Sequence, residues 1–316
     1  MNTISFHQRS MLIADSVMSN LLQVAKKAAQ SKATVLVCGE SGTGKELFAR
    51  YIHEMSPRHE QSFVTINCAA IPEGLMEAEL FGFEKGAFTG AWMQRIGKFE
   101  KAKEGTLLLD EVTEMPIALQ AKLLRVIQEG EIDRLGGKDP IAINTRLIAT
   151  SNRDPLQLVK EGCFREDLFY RLNVLRIDCP PLRERPEAIK NFAQYFLNQN
   201  CEKYQKGKNG LSRSVLELLE NYHWPGNIRE LSNVIERAVL LSDQVEIQPE
   251  AVIPLLNPEV SSGNRIEETG SLASIEQKHI EETLKVTNGN KTEAAKRLGI
   301  SVRTLRNKVR QYHAVS

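Results

Sequence analysis

Two stretches of the chain carry residues that could do chemistry on a phosphate. Gly39-Glu40-Ser41-Gly42-Thr43-Gly44-Lys45-Glu46 has the G-x-x-x-x-G-K spacing. In that pattern backbone N–H groups cradle phosphate oxygens, the following helix adds its dipole, and the lysine reaches the β and γ phosphates. Farther along, Gly105-Thr106-Leu107-Leu108-Leu109-Asp110-Glu111 is an apolar run ending in two carboxylates. Asp110 is placed to hold Mg²⁺ through water, and Glu111 to orient and polarise an attacking water. One position departs from the usual loop: Glu46 stands where Ser or Thr normally touches the metal.

These groups need a scaffold that brings strand ends together, and the apolar runs supply one. Residues 34–38, 63–68, 105–111, 145–150 and 174–177 read as buried parallel strands. Helical spacing is seen at 17–30, 47–53, 73–80 and 115–129. The fold expected is an α/β parallel-sheet P-loop core whose strand C-termini face the ligand crevice. Asn67 and Asn152 fall at that edge, Asn67 with the alternative of a turn cap and Asn152 able to sense a γ phosphate. Arg165 and Arg171, near a helix end, are ordinary solvated cations or arginine fingers lent to a neighbouring subunit. Pro180-Pro181 ends the core, and helices at 187–203, 212–221 and 227–242 form a small lid, with Trp224-Pro225-Gly226-Asn227 as turn and N-cap. Arg229 occupies the first turn of the last of these, where the helix dipole prefers an acid, so it is expected to serve a phosphate.

Two insertions lack periodicity. Residues 81–97 enclose Gly86-Ala87-Phe88-Thr89-Gly90-Ala91, which holds no acid, base or metal ligand and reads either as a buried turn or as an apolar tip offered to a partner. The second, 131–140, contains Arg134 and Gly136-Gly137. From Pro254 to Gly270 the composition is that of a linker. Beyond it, Leu272, Ile275, Ile280 and Leu284 mark one helix, 292–298 a second with Gly299 as C-cap, and Ser301 caps a third running to Tyr312. This is a helix-turn-helix with Ala295, Leu298, Ile300 and Leu305 inside. Arg303, Thr304, Arg306, Asn307, Lys308 and Arg310 on the last helix suit a DNA major groove. The expected divisions are 1–180 for the α/β subdomain, 181–252 for the lid, 253–271 for the linker and 272–316 for the DNA-binding domain.

Composition bounds the function. The 316 residues are 41% hydrophobic and 26% charged with a net charge of +1, ordinary for a globular protein. The basic excess lies in the tail, where 291–316 hold seven Lys and Arg against one Glu. No signal-peptide pattern or membrane-length apolar run is present, so a cytoplasmic, nucleoid-associated protein with no membrane partner is expected. Cys38, Cys68, Cys163, Cys179 and Cys201 form no C-x-x-C pair, which argues against a zinc site or a disulfide framework.

Taken together, the P-loop, the 86–91 hexapeptide, Asp110-Glu111 and Trp-Pro-Gly-Asn-Ile-Arg-Glu-Leu at 224–231 resemble the bacterial enhancer-binding proteins, AAA+ ATPases that activate sigma-54 RNA polymerase. The resemblance runs from about residue 11 to the end and makes Glu46 the usual residue at its position. It implies ATP and Mg²⁺ as ligands, Asn67 as a switch engaging Glu111 according to the nucleotide, Asn152 as sensor I, Arg165 and Arg171 as trans fingers, and Arg229 as sensor II. It further implies a sigma-54 contact through Phe88 and Thr89 at the hexapeptide tip, enhancer DNA bound by a Fis-type tail, and a hexameric or heptameric ring. Ser151 replaces the Thr more usual before the sensor amide but keeps a hydroxyl. Because no sensory domain precedes the ATPase, either a regulator in trans or a longer parent chain is expected. Two other readings stay open: a DNA-binding regulator in which ATP only sets oligomeric state, and a AAA+ remodeller of some other protein. The intact hexapeptide together with Glu111 favours the first reading, since a simple nucleotide switch needs neither.

Overall fold

The computed structural model describes residues 2–6, 9–207, 210–242, 244–256, 280, 283–284, 287 and 290–313. They fall into two compact units, 1–256 and 257–316. In the larger unit, five parallel strands form one sheet: β3 (Val35–Cys38), β4 (Phe63–Asn67), β7 (Thr106–Asp110), β10 (Arg146–Ser151) and β11 (Leu175–Asp178), in the order β11-β3-β10-β7-β4. The three central strands, β3, β10 and β7, are buried on both faces, whereas the edge strands β4 and β11 keep only Ile66 and Ile177 buried. Successive side chains alternate between two cores: Leu36, Leu107, Leu109, Leu147 and Ala149 face one, and Val35, Val37, Leu108 and Ile148 the other. The first core is closed by α3 (Glu73–Phe81), α4 (Lys98–Ala102), α5 (Ile117–Glu129) and α7 (Glu166–Leu172). The second is closed by α1 (Ser16–Ala29) and α2 (Lys45–Glu54).

A buried cation ties α1 to the sheet. Arg146 is 4% exposed and donates from Nη1 to Ala29 O and from Nη2 to Ala28 O, both at 2.7 Å. It donates to two carbonyls of the last turn of α1, at the negative end of the helix dipole, and Ala28 O also accepts from Ser31 N at 3.1 Å. Burial pulls its pKa down to about 10.

The lid consists of α8 (Pro186–Lys203), α9 (Arg213–Asn221), α10 (Asn227–Leu241) and α11 (Pro249–Leu256). Its core is centred on Trp224, fully buried, whose Nε1 donates to Leu219 O at 2.8 Å. Asp15, the N-cap of α1, also accepts from Arg185 Nε at 2.8 Å and so joins the first helix to the lid.

Several features differ from the sequence expectation. A hairpin, β1 (Asn2–Phe6) with β2 (Arg9–Ile13), precedes α1. Each irregular insertion is closed by a minimal hairpin: β5 (Gly82–Phe83) with β6 (Arg95–Ile96), and β8 (Glu131–Ile132) with β9 (Ile141–Ala142). Two-residue strands are too short to show a period. Helix α6 (Pro155–Lys160) and a 3-10 turn at Val112–Glu114 were also not expected. Helix α11 runs to Leu256 with Pro254 inside it, so the stretch read as linker begins within a helix; the remainder of that stretch lies outside the described residues. Asn227 is not the N-cap of α10. Gly226 holds that position, its N–H bonded to Glu230 Oε2 at 2.8 Å, and the Asn227 side chain is used elsewhere.

In the smaller unit, α12 (Lys291–Arg297) and α13 (Val302–His313) pack around Ala294, Ala295 and Leu305 with Leu298 and Ile300 beside them. Gly299 takes a left-handed φ of 67°, and Ser301 Oγ accepts from Thr304 N at 3.0 Å, as C-cap and N-cap chemistry requires. Of the helix expected from 272, Ile280, Thr283 and Leu284 are described and helical.

Candidate active site

The phosphate loop joins β3 to α2. Gly44 has φ 97°, a conformation that favours glycine, and a Cβ built there would meet no atom within 4 Å because it faces the open cleft. Lys45, 6% exposed, donates from Nζ to Gly39 O at 2.8 Å and to Glu40 O at 3.2 Å. The carboxylate of Glu46 accepts from Arg50 Nε at 3.1 Å and Nη2 at 3.0 Å, one turn along α2. That ion pair is how an acid is accommodated where a hydroxyl is usual.

Opposite the loop, β7 delivers Asp110 and Glu111. Glu111 sits at φ 54°, ψ 51°, a left-handed conformation costly for a residue with a side chain and characteristic of functional sites. The turn sends the two carboxylates in different directions. Asp110 faces β4: Asn67 is its register partner, and Asn67 Nδ2 donates to Asp110 Oδ2 at 2.8 Å. Glu111 faces the phosphate loop, with Oε1 3.3 Å from Lys45 Nζ and Oε2 accepting the Asn152 backbone N–H at 2.8 Å. The Asn67–Glu111 contact that the resemblance implies is therefore not made in this structure; strand register gives Asn67 to Asp110. Asn152 likewise meets Glu111 through its main chain. Ser151 is fully buried, with its hydroxyl 2.9 Å from Thr113 Oγ1.

Thr150, absent from the sequence-level candidates, links the pair. Its Oγ1 accepts from Glu111 N at 2.9 Å and donates to Asp110 Oδ1 at 2.6 Å. A hydroxyl at the C-terminal end of the strand, next to Ser151, was the available signal. Nearby thiols are inert, Cys38 being pushed up to about 11 and Cys179 to about 12 by burial.

Residues 41–46, Asp110, Glu111 and Arg229 line one cleft of about 400 Å³, within the range of small-molecule sites. Its other wall is apolar, built from Leu12, Met18, Phe192, Phe196 and Ile228. Arg229 Nη1 donates to Ser41 Oγ at 3.0 Å. A phosphate loop beside an apolar wall suits a nucleotide. Among the described residues no group of three His, Cys, Asp or Glu could hold a cation by itself. Asp110 alone suits Mg²⁺, which usually keeps its waters and the phosphate oxygens.

Other expected residues lie apart from the cleft lining. Arg165, the N-cap residue of α7, pairs with Asp167 at 2.7 Å, which holds the Asp167 carboxyl below its usual range. Arg171 is exposed in the last turn of that helix. The hexapeptide caps the β5–β6 hairpin, where Gly86 N donates to Ala91 O at 2.9 Å and Ala91 N to Phe88 O at 3.0 Å. Phe88 is 42% exposed and packs edge-on against Phe83 with centroids 5.0 Å apart, while Trp92 and Met93 are 85% and 73% exposed. Of its two readings, the exposed tip is the one that the geometry matches. At its base Arg134 forks between Glu100, from Nε at 2.8 Å, and Glu84, from Nη1 at 2.7 Å. The hairpin thus rests on the second insertion. In the smaller unit Arg306 and Thr304 are exposed on α13, whose positions 303, 307 and 310 have side chains outside the described residues.

Comparison with known proteins agrees with this architecture. Residues 11–178 match the Sigma-54 interaction domain, 183–269 the AAA+ ATPase lid domain, and 271–312 the Fis family of bacterial regulatory proteins. The chain is 47% identical to the transcriptional regulatory protein FlbD of Caulobacter vibrioides, over 96% of this chain and 70% of FlbD. It is 47% identical to the regulatory protein AtoC of Escherichia coli, over 93% of this chain and 66% of AtoC. The crystal structure of NtrX from Brucella abortus in complex with ATP superposes with a TM-score of 0.79 at 29% identity, over 95% of this chain and 68% of NtrX. With the phosphate loop, the split carboxylate pair, the lid arginine and the helix-turn-helix in one chain, this protein belongs to the sigma-54-dependent transcriptional activators, AAA+ proteins with a Fis-type DNA-binding domain.

Proposed function

We propose that the chain is an ATPase that assembles into a hexameric or heptameric ring, binds enhancer DNA, and uses hydrolysis to remodel the sigma-54 RNA polymerase closed complex into the open complex. The observation that carries this reading is Glu111, turned out of its strand and held between Lys45 Nζ and the Asn152 N–H at the mouth of the cleft. There it can align a water on the γ phosphate and accept its proton, while Lys45 draws charge from the β and γ oxygens. Mg²⁺, held through water by Asp110, would neutralise the developing charge on the phosphates. Asn67 holds Asp110 in place, Asn152 fixes Glu111, and Arg229 brings the lid to the cleft. Arg165 and Arg171 do not line their own cleft, which supports their serving a neighbour's. The hexapeptide tip would touch sigma-54 through Phe88 and Thr89, and Arg303, Thr304, Arg306, Asn307 and Arg310 would hold DNA. Such a ring works in the cytoplasm at the nucleoid. Purified chain, sigma-54 holoenzyme and a sigma-54 promoter should give open complexes with ATP and none with a non-hydrolysable analogue. Equal opening with both would refute hydrolysis-driven remodelling.

A further inference from the structure

We propose that Glu40 and Arg183 form a latch that registers the phosphate loop against the lid and thereby positions Lys45; this rests on the ATPase reading above. Glu40 occupies a variable position of the loop motif, where a carboxylate aimed at a triphosphate would repel it. Here it is turned away from the cleft. Arg183 meets it as a two-pronged fork, Nη2 to Oε1 at 2.6 Å and Nη1 to Oε2 at 2.9 Å. This pairing holds the carboxyl below its usual range.

The latch extends over three consecutive loop residues. Asn227 Nδ2 donates to Glu40 Oε2 at 3.1 Å and to Ser41 O at 3.0 Å, while its Oδ1 accepts from Leu182 N at 2.7 Å. Ile228 N donates to Gly42 O at 3.1 Å. Asn227 holds a left-handed φ of 52°, strain that these side-chain bonds oppose. The surfaces touch with no clearance, since a Cβ at Gly42 would lie 2.2 Å from Gly226 O.

On its other side, Glu40 faces the chemistry. Its carbonyl accepts from Lys45 Nζ at 3.2 Å and from Thr43 Oγ1 at 2.8 Å. One residue therefore grips the lid with its carboxylate and directs the phosphate-binding lysine with its carbonyl. The ion pair is partly exposed, 39% for Glu40 and 41% for Arg183, so it contributes little as a surface bridge. Its consequence is geometric: a lid that rocks carries Lys45 with it, together with Arg229 one residue beyond Ile228. Glu40 and Arg183 are positioning residues, acting through Lys45.

The test uses the full chain with Glu40→Gln, Arg183→Ala, Arg183→Lys and the exchange Glu40→Arg with Arg183→Glu. Glu40→Gln and Arg183→Ala should lower kcat roughly 10- to 100-fold, as expected of a displaced catalytic group, with the Kd for ATP changed less than about threefold. Amide exchange at Ile228 and Leu182 should accelerate in the same variants. The exchanged pair should recover part of kcat, and Arg183→Lys, which keeps charge but loses the fork, should fall between wild type and Arg183→Ala. Wild-type kcat with unchanged exchange in Glu40→Gln and Arg183→Ala would overturn the latch, as would an exchanged pair no better than the worse single variant. If the wild-type chain turned over no ATP, the ATPase reading would fail, and exchange at Ile228 and Leu182 would then decide the latch alone.

Discussion

Thr150 Oγ1 lies 2.9 Å from Glu111 N and so fixes the residue at which β7 leaves the sheet. The same oxygen donates to Asp110, so a single hydroxyl sets the angle between the metal-side and water-side carboxylates. Thr150→Val keeps the shape of the side chain and removes that oxygen. Turnover should fall roughly 10- to 100-fold, as for a misplaced catalytic group, with ATP affinity nearly unchanged. Because Thr150 is fully buried, the Glu111 amide left without its acceptor should cost about 1–3 kcal/mol in urea unfolding. Wild-type kcat in this variant would remove Thr150 from the account.

Arg165 and Arg171 differ in what holds them. Arg165 is paired with Asp167, whereas Arg171 has no bonded partner among the described residues. Replacing either by Ala should lower turnover by about 10³ to 10⁵, the usual cost of a missing finger, while ATP still binds. A mixture of Arg171→Ala and Glu111→Gln subunits, each inactive alone, should regain activity, because one supplies the finger and the other an intact site. A silent mixture would contradict fingers acting in trans.

Acid should loosen the hexapeptide hairpin at its base. The Arg134 guanidinium holds the Glu100 carboxyl below its ordinary value of 4.5. A carboxylate with a lowered folded pKa stabilises the fold above the unfolded value and loses that contribution as pH falls through the folded one. The stability gap between wild type and Glu100→Gln should therefore be constant from about pH 7 to about pH 5 and close as pH drops below 4.5. Thermal unfolding across that range measures it. A gap independent of pH would show that the ion pair does not hold the hairpin.

The two tryptophans report on different places. Trp224 is fully buried in the lid, and Trp92 is 85% exposed beside the hexapeptide. Acrylamide should quench one emission component readily and the other hardly at all. Adding sigma-54 with a transition-state analogue of ATP hydrolysis should shield the accessible component, and Trp92→Phe should abolish the change. Persistent full quenching in the complex would place the contact elsewhere.

The groups named from sequence were those whose meaning is local. A phosphate loop is read from seven neighbouring residues, and the central strands at 34–38, 105–111 and 145–150 stand out because both of their faces are largely apolar. Lys45, Asp110 and Glu111 needed nothing more, and the two caps of the helix-turn-helix, Gly299 and Ser301, were equally legible. Thr150, Arg146, Arg183 and Asn227 were missed because their partners lie 39 to 187 residues away. Asn227 shows the cost of a local rule: an Asn ahead of a helix suggests a cap, yet its amide is spent on the phosphate loop. Asn67 was legible as an amide at the sheet edge, but its bond to Asp110 was not, since strand register sets that pairing and a sequence does not display register.

The central claim is that Glu111 and a neighbour's arginine complete an ATPase at this cleft. The most direct measurement is steady-state ATP turnover of the full chain against protein concentration, for wild type and Glu111→Gln, with ATP binding followed in parallel. Specific activity should rise as subunits associate, and Glu111→Gln should bind ATP while losing about 10² to 10⁴ in rate, the usual contribution of a general base. Activity that is independent of concentration and survives Glu111→Gln would contradict the account.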